Sequence, residues 1–118
     1  MSKQGDVVRV RVTDPRGNVK VCPAVILTST SEIILDSPLV AVAVTSSFVT
    51  PTPQNMVELP WARPPIRTST GLVKRSAAVC DWLVTIKQSD IVETMGFVPT
   101  SKLLEVVALV RRLNARPL

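Results

Sequence analysis

The segment Thr70–Val98, TGLVKRSAAVCDWLVTIKQSDIVETMGFV, decides the fold. Two short apolar runs, Ala77–Cys80 and Trp82–Ile86, are separated only by Asp81. A polar turn, Lys87-Gln88-Ser89-Asp90, follows, and a third run closes on Gly96-Phe97-Val98. Runs this short, rich in β-branched residues and punctuated by polar turns, predict strands of a small closed or nearly closed sheet. Trp82 and Phe97, inside those runs, are expected in the core. Pro99-Thr100-Ser101 then opens a helix that continues to about Asn114. Leu103, Val106, Val107, Val110 and Leu113 fall on one face of it, as a lid over the sheet requires, and Leu104 and Leu109 widen the stripe.

Upstream, Gly5-Asp6 leads into Val7–Val12, where Val8, Val10 and Val12 alternate with Arg9 and Arg11. That alternation predicts a strand with one buried and one wet face. Asp14-Pro15-Arg16-Gly17-Asn18 has the residues of a turn, and Val19–Thr28 returns as the second strand of a hairpin. Pro23 removes a ladder donor, so it belongs at an edge, a bulge or a bend. Glu32–Leu35 reads equally as a short strand or one helical turn. Leu39–Val44 is nearly all apolar, as a strand covered on both faces would be, and it ends at Thr45-Ser46-Ser47, where hydroxyls emerge at the rim of the sheet.

Phe48–Thr70 holds five of the ten prolines, which stiffen it into a few extended conformations, with Met56–Leu59 as a short proline-free strand inside it. Loops of this length in small domains are often functional. Gly5, Gly17, Gly71 and Gly96 are isolated, and each reads as a turn glycine. The chain is therefore mainly β with a C-terminal helix, an α+β fold, in one domain over residues 1–118, long enough for a single core.

Composition narrows the chemistry. There is no histidine, so no imidazole base or imidazole metal ligand is available, and two cysteines alone do not make a conventional zinc site. No cofactor or metal is expected. Cys22 and Cys80 both lie in apolar runs and read as buried packing thiols. No apolar run approaches the ~20 residues that span a bilayer, and Met1–Val12 has no apolar signal core, so the expected location is cytoplasmic. The net charge of +5 favours an anionic partner, and four bases, Arg63, Arg67, Lys74 and Arg75, lie between Leu59 and Cys80 with no acid among them. That run reads as a solvated loop, as a phosphate-tracking surface or as a dock for an acidic peptide. Trp61 and Phe48 are the aromatics placed to stack on bases.

Several blocks stand in an order that resembles the PemK/MazF toxin family: Gly5-Asp6-Val7-Val8, Pro23-Ala24-Val25-Ile26-Leu27, Val42-Ala43-Val44-Thr45-Ser46, and Gly71-Leu72 followed by a basic pair, a strand, Asp81 and Leu83–Lys87. The resemblance implies an SH3-like small barrel of the PemK/MazF/CcdB type, a homodimer, a cognate antitoxin as partner, and metal-independent cleavage of single-stranded RNA by attack of the 2′-hydroxyl on the adjacent phosphorus. It further implies a hydroxyl residue after the third or fourth strand, matched by Thr45 with Ser46 beside it, and an arginine immediately before the proline of the second strand. That position is Cys22. Lys20, two residues earlier and on the same strand face, or Arg16 at the loop tip, stands in as the missing cation. The expected groove is lined by Lys20, Thr45 and Ser46, with Arg16, Arg63, Arg67, Lys74, Arg75 and Trp61 contacting RNA. Two alternatives stay open, the first favoured by Cys22, which brings no guanidinium, and the second requiring the resemblance to be accidental. One is a catalytically silent member of the family that binds RNA, an antitoxin or another protein. The other is an SH3-like interaction module.

Overall fold

A computed structural model describes residues 2–13, 16–34 and 37–114. Six strands, β1 (Asp6–Thr13), β2 (Val19–Ile26), β3 (Leu39–Thr45), β4 (Met56–Leu59), β5 (Ser76–Ile86) and β6 (Ile91–Phe97), precede one helix, α1 (Thr100–Asn114). All paired strands are antiparallel, in the order β4-β5-β3-β2-β1-β6. The predicted N-terminal hairpin forms, with Val7 opposite Val25 and Thr13 opposite Val19. Its turn residues Asp14 and Pro15 lie outside the described residues, as do Leu35, Asp36 and the C-terminal Arg116. Pro23 sits just before the β2–β3 ladder begins at Ala24, where β2 is still paired on one side only and a missing N–H breaks nothing. Between β2 and β3 a single 3-10 turn, Thr30–Glu32, forms, and of the segment Glu32–Leu35 the residues Ile33 and Ile34 that follow it are neither strand nor helix.

The two apolar runs read around Asp81 are one strand. β5 carries both, and the register against β3 jumps between Val42 opposite Leu83 and Ala43 opposite Val79. Cys80-Asp81-Trp82 therefore forms a bulge without partners on β3, and the bend lets one strand serve both ends of it. The bulge is tied down from outside. Cys80 donates its N–H to the Asn55 carbonyl (2.9 Å), Asn55 Nδ2 donates to Asp81 Oδ1 (3.1 Å), and Asn114 Nδ2 at the end of α1 donates to the Cys80 carbonyl (3.1 Å).

Sheet and helix enclose two apolar clusters. Val7, Val25, Val42, Leu72, Ala78, Cys80 and Val98 pack with Val106 and Leu109 of α1, while Val8, Val10, Ala24, Ile26, Leu39, Ala41 and Ile86 pack on the opposite face. Alternate residues of β1, β2 and β3 thus feed opposite faces, as the two-residue period dictates. On α1 the buried pair is Val106 and Leu109, with Leu103 and Val110 packed at their flanks; Leu113 and Leu104 are exposed. Val40 is also exposed, so β3 is covered on both faces only in part. Trp82 and Phe97 are each more than half exposed, not core residues: Trp82 is thrown out by the bulge and Phe97 lies on an edge strand.

The sheet coils without closing. The ends of β1 (Arg11, Val12, Thr13) and of β5 (Val84, Thr85, Ile86) line a common cleft although two strands separate them in the sheet. Between the edges β4 and β6 the gap is bridged by the loop after β4, whose Ser69 carbonyl accepts the Phe97 N–H at 2.8 Å. Gly96, expected in a turn, lies inside β6: a Cβ there would stand 2.0 Å from the Ser69 oxygen, so the loop reaches the strand only because the side chain is absent. Gly71 has a related role, with a φ of +73° and the Met95 oxygen 2.4 Å from where its Cβ would be. Among the described residues no helix is long and apolar enough to cross a membrane.

Candidate functional site

Thr45 is the last residue of β3 and half-buried. Its hydroxyl accepts the Ser47 N–H (3.1 Å) and lies 3.3 Å from the Ser47 carbonyl, a local turn that fixes the side chain where the sheet ends. Thr45 pairs with Ala77 of β5, and Ala77 pairs in turn with Glu58 of β4. Directly opposed residues share a face, so Thr45 and Glu58 look out from the same side with only the small Ala77 between them. Continuing the β2–β3 register by two residues brings Cys22 level with Thr45 on its other flank. Cys22 lies opposite Val10, a residue of the cluster remote from the helix, so this row belongs to the face that α1 leaves open. Cys22 is half-buried, not the fully buried packing thiol expected, because β3 stops pairing with β2 beside it.

The cation next to this row comes from the start of β5. Arg75, two residues before Ala77, lays its guanidinium over the Phe48 ring at 4.1 Å and donates from Nη2 to Glu58 Oε1 at 2.5 Å. The same oxygen accepts the Thr52 hydroxyl at 2.6 Å. These two hydrogen bonds, that of Thr52 the larger and that of Arg75 next, hold the Glu58 carboxyl below the usual glutamate value of 4.5 against a smaller opposing effect of burial. Arg75 is thus aligned by a ring on one side and an ionised carboxylate at one edge. Among the described residues its other N–H groups have no protein acceptor.

The remaining candidates divide. Ser46 is exposed beside Thr45, and Lys74 is exposed beside Arg75. Lys20 is exposed on β2, two residues from Cys22 and on the same face. Arg16 is exposed in the β1–β2 connection. Arg63, Arg67 and the partly exposed Trp61 belong to the loop after β4. Arg67 lines a cleft of about 520 Å³ with Pro65, Ile66, Leu72, Glu93 and Met95, and none of the Thr45 row lines it. The sheet register therefore brings Thr45 and Arg75 to one face, with Ser46 and Lys74 beside them in sequence, while Arg67 lines a different cleft.

Glu58, Thr52 and Phe48 were not singled out as parts of one site. Glu58 is the lone acid of the proline-rich stretch, a signal that becomes legible only once Met56–Leu59 is paired with the beginning of β5. The loop carrying Arg63 and Arg67 is fixed by Thr70, which is wholly buried. Its hydroxyl donates to the Pro60 carbonyl (2.6 Å), accepts the Leu72 N–H (3.1 Å) and lies 3.0 Å from the Thr68 hydroxyl.

Comparison with known proteins adds the following. The model of the PemK-like, MazF-like toxins of type II toxin–antitoxin systems matches residues 3–113. Among solved structures, a mycobacterial endoribonuclease in complex with its cognate antitoxin superposes with a TM-score of 0.73 at 16% identity, covering 100% of this chain and 99% of that one. A MazE–MazF crystal structure from Deinococcus radiodurans (Form-II) gives 0.75 at 19% identity, covering 98% and 97%. The Mycobacterium tuberculosis toxin MazF-mt6 gives 0.69 at 15% identity, covering 96% and 99%. At such identities the likeness shows a shared fold. No curated protein matches the chain.

Proposed function

The chain belongs to the PemK-like, MazF-like toxin family of type II toxin–antitoxin systems, and from that premise we propose that it is an endoribonuclease cleaving single-stranded RNA at the Thr45 row. The observation that carries the reading is the juxtaposition, at the open end of β3, of a half-exposed threonine hydroxyl and an aligned guanidinium. RNA carries its own nucleophile. The 2′-oxygen attacks the adjacent phosphorus, the P–O5′ bond breaks, and the products are a 2′,3′-cyclic phosphate and a 5′-hydroxyl. The 2′ proton leaves to solvent and the 5′-oxygen takes one from solvent, so no co-reactant is consumed. What the protein supplies is positioning and hydrogen-bond donors for the charge that develops on the phosphoryl oxygens. Thr45 and Ser46 offer hydroxyls at that point. Lys20, Lys74 and Arg75 track the backbone across this face, and Arg16, Arg63, Arg67 and Trp61 meet RNA only where a longer strand continues onto the neighbouring loops.

A cognate antitoxin is the partner in this reading, as for the mycobacterial relative described above. The working form is a homodimer in the cytoplasm, where its RNA is. Incubation of the purified chain with mixed-sequence single-stranded RNA in chelator should yield fragments ending in 2′,3′-cyclic phosphate, and Thr45→Ala should slow cleavage by about 100-fold, the size of effect that follows loss of one donor to a developing oxyanion. No cleavage of any RNA by the parent protein would reject the nuclease. Retention of RNA without cutting would instead support the silent binding member, the reading that Cys22 favours.

A further inference from the structure

We propose that Arg75, held by Glu58 and Phe48, is the catalytic cation that meets the scissile phosphate, a role that position 22 does not fill in this chain. This rests on the nuclease reading above. In-line displacement at phosphorus concentrates negative charge on the non-bridging oxygens, and a planar guanidinium answers that charge with two parallel N–H donors where an ammonium offers a point charge. Of the residues flanking Thr45 in its row, Cys22 presents a thiol, Ala77 nothing polar and Glu58 a carboxylate.

The nearby bases differ in how they are held. Lys20 and Lys74 are exposed, and among the described residues no salt bridge ties either down. Arg67 opens into the other cleft. Arg75, by contrast, is oriented before substrate arrives, by a ring at 4.1 Å and a carboxylate at 2.5 Å. Only one of its terminal nitrogens is taken by Glu58, which leaves the rest of the fork for phosphoryl oxygens. Glu58 is a positioning residue in this scheme. Its depressed pKa suits an anchor that stays ionised and makes it a weak proton acceptor.

The test uses the full chain, with cleavage of single-stranded RNA measured beside binding of the same sequence carrying 2′-deoxy sugars, which cannot be cut. Arg75→Gln should lose about 100-fold or more in single-turnover cleavage while binding weakens by less than about fivefold, the loss of one phosphate contact among several. Glu58→Gln should lower cleavage with binding again nearly unchanged. Adding Cys22→Arg to the Arg75→Gln chain should restore cleavage, because it returns a guanidinium to the other flank of Thr45. If Arg75→Gln fails to fold by circular dichroism, Arg75→Lys takes its place, with a loss of about 10-fold expected because charge is kept and the fork is not.

Cleavage within threefold of the parent in the folded variant overturns the proposal and leaves the nuclease reading standing on another cation. So does a parallel loss of binding and cleavage that Cys22→Arg does not repair. A parent protein that cuts no RNA removes both.

Discussion

Cys80 shows how far one side chain's chemistry is set by its place in the sheet. The residue is fully buried in the bulge of β5, and burial, with Asp81 beside it as the lesser cause, pushes its thiol up to about 11. The thiolate is the nucleophile, so near neutral pH this position carries little reactive sulfur. Cys22, on the open face, is half-exposed. Iodoacetamide at pH 8 should therefore alkylate Cys22 in the native protein and Cys80 only after unfolding, read out by mass spectrometry of the digested chain. Comparable labelling of both in the native state would contradict the placement of Cys80. Read as a sequence, both cysteines look alike, each embedded in apolar neighbours. What separates them is the face each side chain enters: Cys80 joins the cluster beneath α1, whereas Cys22 lies opposite Val10 on the face that α1 leaves open. The same limit applies to Trp82: its run is apolar, yet three residues of β5 lack partners on β3 and carry the ring outward. Thr45 was legible because hydroxyl residues directly after an apolar run mark a strand end. The link between Arg75 and Glu58 was not, since it needs two elements 17 residues apart to pair in one register.

At the scale of elements, the stretch after β4 behaves less as a loop than as a further structural member beside the six strands and α1. Its length and prolines predicted an ordered segment, but not the clamp that orders it, because that clamp joins residues distant in sequence. Thr70 supplies two of the contacts, to the Pro60 carbonyl and the Leu72 N–H, and Gly96 admits a third, from Phe97 to Ser69. Thr70→Val keeps the shape and removes the hydroxyl, stranding a buried donor and a buried acceptor, each worth about 1–3 kcal/mol. The melting temperature should fall by about 10 °C or more, and amide exchange at Leu72 should accelerate. Unchanged thermal unfolding would mean that the prolines alone hold the loop. The closing helix is more legible in the sequence. Its span and its role as a lid follow from periodicity, and only the rotation of the stripe differs, centred on Val106 and Leu109 with Leu113 left out.

Over the whole molecule the net charge of +5 is spread along more than one surface, and this gives a prediction that separates an RNA track from a merely basic exterior. Single-stranded nucleic acid releases counterions on binding, so log K falls with log salt at about −0.7 per phosphate neutralised. If RNA crosses only the open face, the cations it meets are Lys20, Lys74 and Arg75, and the slope for a non-cleavable oligonucleotide should be near −2. If the strand continues to Arg63 and Arg67, five phosphates are covered and the slope steepens to about −3.5. Arg67 lines a separate cleft beside β6, which favours the smaller figure. Lys74→Ala should therefore flatten the slope by about 0.7, whereas Arg67→Ala should leave it unaltered. Fluorescence anisotropy from 50 to 300 mM salt measures all three proteins with one labelled strand. Equal flattening by both substitutions would place the RNA across both surfaces, and a parent slope near zero would mean that charge does not hold the strand at all.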